Sequence, residues 1–130
     1  MIKKLLNYKN SSSFRKQNSL EKRKQEAERV KQKHPSRVPI ICERGGLTEI
    51  PLIDKKKYLV PGDLTAGQFI YVIRKRLELD AAKAIFIFIN NSIIPPSSAY
   101  FDSLYDTYKN EDGFLYITYS GENTFGKKIR

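Results

Sequence analysis

Hydrophobic and polar positions alternate between several regimes along the chain. Through residue 18 the apolar side chains (Ile2, Leu5, Leu6, Tyr8, Phe14) are few and make no periodic face among Ser, Asn and Lys, the pattern of a disordered basic extension over residues 1–18. Ser19 is placed to cap a helix ending near Lys33, because Pro35 disfavours helical backbone at the residue before it. Leu20, Ala27 and Val30 make a narrow apolar stripe on that helix, which is either continuous or two short pieces and needs a neighbour to pack on. Val38–Cys42 reads as a strand with Pro39 at its start or at a sheet edge. After a turn at Gly45-Gly46 a second strand is expected over about Glu49–Val60, broken at Pro51 and closed by Pro61-Gly62-Asp63. A helix starting at Asp63 or Thr65 runs to about Leu79, with Ile70, Ile73 and Leu77 on one face and Phe69 and Val72 off it. Ile85–Ile89 lacks polar alternation and reads as a central strand buried on both sides. Asn90-Asn91-Ser92 turns the chain, a short helix covers about Ala99–Tyr108, and residues 114–119 form the last strand.

The order helix, ββαβ, short helix, β is that of an α+β protein of the ubiquitin-like β-grasp type. The expectation is a mixed four-stranded sheet crossed by one main helix in two layers, with an additional N-terminal helical segment. Beyond the last strand the polar run 120–124 leads to Phe125 and Gly126, with four residues after them. A near-terminal glycine in such a tail suggests an end handled by enzymes, since its backbone, free of a Cβ, threads a narrow channel. Taken alone, ordinary tail flexibility is the plainer account of that glycine.

Composition narrows this. A chain of 130 residues is one domain with a real core, and no apolar run reaches the roughly 18–20 residues of a membrane span. The start lacks the long apolar region and cleavage site of a secretory signal, and a single cysteine forms no internal disulfide, which fits a reducing compartment. Residues 1–37 hold 12 of the 24 Lys and Arg against three of the 14 acidic residues, so a nearly neutral globule carries a basic arm. That arm is either a solvated segment or a contact for anionic membranes, acidic protein tails or nucleic acid.

Catalytic chemistry finds little support. His34 stands alone at a helix end, Cys42 lies in an apolar strand as a buried structural thiol, and one of each is too few for zinc. There is no phosphate loop and no dinucleotide glycine pattern, and no carboxylates are paired in a way that suggests acid/base work. The chain reads as a substrate or binder, with no catalytic residues and no metal.

Several longer motifs point further. Leu20-Glu21-Lys22-Arg23, His34–Ile41, Asp54–Pro61, Asp63-Leu64-Thr65, Gly67-Gln68-Phe69, Ile73–Arg76, Phe114–Ile117 and Tyr119–Glu122 occur in one order over residues 19–126. Together they resemble the autophagy ubiquitin-like modifiers of the GABA-receptor-associated and microtubule-light-chain type. The resemblance implies a modifier domain over 19–126 and a propeptide, 127–130, removed by a cysteine protease that cuts between Gly126 and Lys127. It implies activating and conjugating enzymes that pass the glycine carboxyl to the amine of phosphatidylethanolamine, with no cofactor besides that covalent lipid. Two acyl chains suffice for stable anchoring, so the resemblance places the protein in the cytoplasm and, once lipidated, on autophagosomes or other vesicles.

It also implies binding of cargo receptors and adaptors carrying aromatic-x-x-aliphatic motifs, which add as a strand to a sheet edge. The aromatic pocket would be Glu26, Val30, Pro39, Ile41, Lys57, Leu59 and Phe114, and the aliphatic pocket Tyr58, Val60, Pro61, Leu64, Phe69, Val72 and Ile73. Arg37, Lys55, Lys57 and Arg76 either read acidic residues beside the motif or form a plain solvated basic face. The alternative is a non-conjugated module whose basic arm engages tubulin or anionic membranes; no specific nucleic acid is expected. Three departures from the family pattern stand out: Gly113 where an aromatic is common, an extra residue in the Asn90–Pro96 loop, and the long N-terminal extension.

Overall fold

The computed structural model describes residues 13–45 and 48–121. Its elements are α1 (Phe14–Gln17), α2 (Leu20–Lys33), β1 (Arg37–Arg44), β2 (Lys57–Pro61), α3 (Ala66–Leu77), β3 (Phe86–Ile89), α4 (Phe101–Tyr108) and β4 (Leu115–Ser120). Ser19 caps α2, its hydroxyl accepting from the Lys22 N–H at 3.2 Å, and the helix ends at His34, the residue before Pro35. Thr65 and Gln68 form a reciprocal capping box that starts α3.

The four strands make one mixed sheet in the order β2-β1-β4-β3. β1 is antiparallel to β2 and parallel to β4, and β3 is antiparallel to β4. The Cys42 N–H donates to the Lys56 carbonyl at 2.8 Å, so Cys42, Ile40 and Val38 share hydrogen bonds with β2. Pro39, opposite Leu59, falls on a pair without ladder bonds and precedes the first pairing with β4, Ile40↔Leu115; its missing N–H leaves no gap.

Side-chain alternation sends two sets of residues to opposite faces. Val38, Ile40, Cys42, Tyr58, Val60, Ile87, Ile89, Leu115, Ile117 and Tyr119 pack with Ala66, Phe69 and Ile73 of α3 and Phe101 and Leu104 of α4. Ile41, Phe114 and Tyr116 pack with Phe14 of α1 and Ala27 of α2 on the other side. The sheet is therefore covered on both faces, in three layers and not the expected two: the narrow stripe of α2 finds its neighbour in the sheet.

Four other expectations change. The segment expected to be disordered through residue 18 holds α1, whose Phe14 is buried. The second strand begins at Lys57, not Glu49. Residues 48–56 form a loop pinned by Tyr119, whose hydroxyl donates to the Pro51 carbonyl (2.8 Å) and accepts from the Ile53 N–H (2.7 Å). On α3 the buried residues are Ala66, Phe69 and Ile73, with Ile70 and Leu77 partly buried, so Phe69 sits at the centre of the core face. β3 lies at a sheet edge and not in the middle. Its unbroken apolarity arises because Ile87 and Ile89 face the main core while Phe88, pointing the other way, is buried as well.

Candidate functional site

β2 is the opposite edge of the sheet. Its residues Tyr58 and Val60 direct backbone groups to β1, so Lys57 and Leu59 direct theirs outward. The Leu59 carbonyl is met by the Arg37 guanidinium at 3.3 Å. The edge is flanked by α2 on one face and α3 on the other.

On the α2 face stand Glu26 and Val30 of the helix, Pro39 and Ile41 of β1, Lys57 and Leu59 of β2, and Phe114 just before β4. Pro39, Ile41 and Phe114 are buried and form a floor. Above them the Lys57 ammonium meets the Glu26 carboxylate at 2.7 Å, an exposed rim pair. On the α3 face, Tyr58 and Val60 are buried against Phe69 and Ile73, and Phe69 is met edge-on by Tyr58 (5.6 Å between centroids) and Phe101 (5.3 Å). Leu64 is partly buried, and Pro61 and Val72 are exposed at the rim. Both residue sets implied by the resemblance are thus brought to β2, one per face, each divided into a buried floor and an accessible rim.

The cations expected to read acidic residues already have partners within the chain. Arg76 forks onto Asp54 (3.0 and 3.5 Å), Lys57 pairs with Glu26, Arg37 holds the Leu59 carbonyl, and the Lys55 ammonium stands 5.3 Å from the Tyr58 ring centre. Gly126 and Lys127 lie outside the described residues. Burial pushes the Cys42 thiol far up, which keeps it protonated and without nucleophilic character. Among the described residues no group of three or more His, Cys, Asp or Glu is placed to hold a metal, and no helix is long and apolar enough to cross a membrane.

Sequence reasoning missed a polar cluster behind the aromatic side. Asp112, 1% exposed, accepts from Arg23 Nη1 (2.7 Å), the Tyr116 hydroxyl (2.6 Å) and the Phe114 N–H (2.8 Å). The run Asn110–Gly113 signals only a turn, and an ion pair spanning 89 positions leaves no local trace. Gly113 has φ +92°, and a Cβ there would lie 2.9 Å from that of Ala27, so α2 rests on bare backbone at this point. A cavity of about 240 Å³ lies beside it, lined by Lys24, Glu28, Lys31 and Tyr105 among others.

A mixed four-stranded sheet with its main helix across one face and helices added on the other defines a ubiquitin-like protein. The family model described as "Autophagy protein Atg8 ubiquitin like" matches residues 22–126. Autophagy-related protein 8 of Mycosarcoma maydis is 59% identical over 116 residues, 89% of this chain and 98% of the relative. That of Kluyveromyces lactis is 60% identical over 115 residues, 88% of this chain and 92% of the relative. A crystal structure of Trypanosoma brucei ATG8 superposes with a TM-score of 0.79 at 45% identity, covering 84% of this chain and 93% of that one. The chain belongs to the Atg8 family of ubiquitin-like autophagy proteins.

Proposed function

We propose that this autophagy modifier is joined through Gly126 to phosphatidylethanolamine and recruits cargo receptors and adaptors that carry aromatic-x-x-aliphatic motifs. The observation that carries the binding half is the outer side of β2, which no strand pairs among the described residues, with apolar floors on both of its faces. A peptide strand laid along this edge hydrogen-bonds to the outward groups of Lys57 and Leu59, sharing or displacing Arg37 at the Leu59 carbonyl, and sends alternate side chains to the two faces. Each anchor contributes roughly 1.5–3 kcal/mol before ordering losses, and the main-chain hydrogen bonds along the edge add to that. Titration of the protein with a peptide bearing the motif tests this. Double replacement of the two anchors by alanine abolishes the heat of binding, and equal binding of the replaced peptide sinks the reading.

The conjugation half rests on family membership and on Phe125-Gly126 in the sequence. A cysteine protease cuts after Gly126, activating and conjugating enzymes carry the glycine carboxyl, and the lipid then holds the protein on autophagosomal or other vesicle membranes from the cytoplasm. Family members act as modifiers, and the same role here assigns no catalytic residue to the chain. Intact mass from cells is the test: the expected species ends at Gly126 and, in the membrane fraction, carries the lipid. Only unprocessed chain ending at Arg130 refutes it, and Gly126→Ala prevents both processing and membrane puncta.

A further inference from the structure

The aromatic face of the β2 edge ends on a side chain that no motif singled out. Phe14 of α1 is 6% exposed and shares its apolar cluster with Ile41, Ala27 and Phe114. Its ring meets Phe114 edge-on at 5.4 Å between centroids, at an interplanar angle of 77°. The Lys57 ammonium stands 5.7 Å from the Phe14 ring centre and, on its other side, 2.7 Å from Glu26. Phe14 therefore adjoins three of the seven residues assigned to the aromatic pocket: Ile41 and Phe114 of the floor and Lys57 of the rim.

α1 is clipped in place on every side. The Phe14 N–H donates to Glu43 Oε2 at 2.7 Å, and Lys56 holds that same carboxylate oxygen at 3.3 Å. Asn18 closes the helix onto the Phe14 carbonyl, Arg23 Nε reaches the Asn18 carbonyl at 3.1 Å, and the Arg15 guanidinium lies 4.2 Å over the Tyr116 ring. A side chain so fixed is a wall and not a flap. The floor beneath it is closed as well, with Ile41 at 0% and Phe114 at 3% exposure. Room for an incoming aromatic ring opens toward the rim, by displacement of the Lys57–Glu26 pair, while its inner limit is the Phe14 ring.

We infer that Phe14 is a specificity-determining residue of the aromatic subsite: its volume sets how deep the motif's aromatic anchor goes and so which anchor is preferred. The inference rests on the peptide-edge reading above. In close-packed surroundings a change of one or two methylene volumes is felt directly.

The test uses the full chain and three peptides identical except for a Phe, Tyr or Trp anchor, titrated into the wild type, Phe14→Ala, Phe14→Leu and Phe14→Trp. Phe14→Ala and Phe14→Leu deepen the pocket and raise the Trp:Phe affinity ratio, by about tenfold for the larger truncation. Phe14→Trp shortens it and moves the ratio the opposite way. Arg15→Ala, which loosens α1 without altering this volume, weakens all three anchors alike and leaves the ratio unchanged. Phe14→Leu keeps the question open to measurement if the alanine variant does not fold. A ratio equal to wild type in both Phe14→Leu and Phe14→Trp overturns the inference while leaving the peptide edge intact. Failure of the wild type to bind any of the three peptides overturns the edge reading, and this inference with it.

Discussion

Asp112 gathers three parts of the chain onto one carboxylate: Arg23 of α2, Tyr116 of β4 and the Phe114 backbone. Removing one member of a buried, hydrogen-bonded ion pair strands the other, at a cost of about 3–5 kcal/mol. Asp112→Ala is expected to lose that much in urea unfolding, and pairing it with Arg23→Met restores a large part, because the stranded charge goes too. Tyr58 is the opposite case. Its hydroxyl is buried with no hydrogen-bond partner among the described residues, so Tyr58→Phe leaves stability unchanged or raises it by about 1 kcal/mol. Tyr116 and Tyr119 supply a pH signature. Burial pushes both phenols up to about 12, reinforced for Tyr116 by its hydrogen bond to Asp112. An unfolded tyrosine ionises near 10, so the fold favours the neutral form. The stabilisation is complete below about pH 10 and is lost as pH rises from about 10 to about 12. Alkaline unfolding followed by tyrosinate absorbance therefore falls in that window, and Tyr119→Phe, which also frees the Pro51–Ile53 loop, makes the loss less steep.

At the level of elements, what was legible in the sequence is what local chemistry dictates. Ser19 and Pro35 bound α2, Thr65, one of the two starts the sequence offers, begins α3, and alternation through Lys57–Val60 separates the two faces of β2 without showing that it is an edge. What was illegible depends on distant partners. Apolarity of Phe86–Ile89 cannot distinguish a central strand from an edge covered on both sides. Phe14 is a lone apolar residue in a polar stretch until Phe114, a hundred positions later, meets it edge-on. For the site, the two residue sets came from the resemblance, and local pattern alone offered only which residues of β2 share a face. The two faces also differ in depth. Among the described residues the α3 side carries the main core, whereas the α1–α2 side is joined by a smaller cluster of five buried residues, with Pro39 and Phe88 also buried on that face, and by the Arg23–Asp112 pair. Layers with few buried contacts open at lower free energy than the core. Amide exchange is expected to report α2 opening well below the global unfolding free energy while β1 and β4 exchange only with it, and equal protection of α2 and β4 contradicts this.

For the whole molecule the charge is the organising quantity. The net charge of +10 is concentrated in residues 1–37, while the cations along the β2 edge are offset by Glu26, Glu43 and Asp54. Rim pairs of this exposed kind contribute at most about 1 kcal/mol each. An acidic peptide therefore exchanges one carboxylate partner for another at Lys57 and Arg76, and gains mainly in encounter rate. Raising salt should slow association with little change in dissociation. The arm behaves differently, since Lys3, Lys4 and Lys9 come before any acidic residue in the chain. Each basic residue near an anionic bilayer contributes about 1 kcal/mol, so the three together amount to roughly a hundredfold in partitioning. Deleting residues 1–12 from the unlipidated protein should reduce cosedimentation with vesicles rich in phosphatidylserine by about that factor at low salt. The reduction should shrink as ionic strength rises and the Debye length falls below about 10 Å. Binding that is strong, salt-sensitive and indifferent to the deletion would locate the membrane contact on the globule, and would leave the arm as a solvated segment.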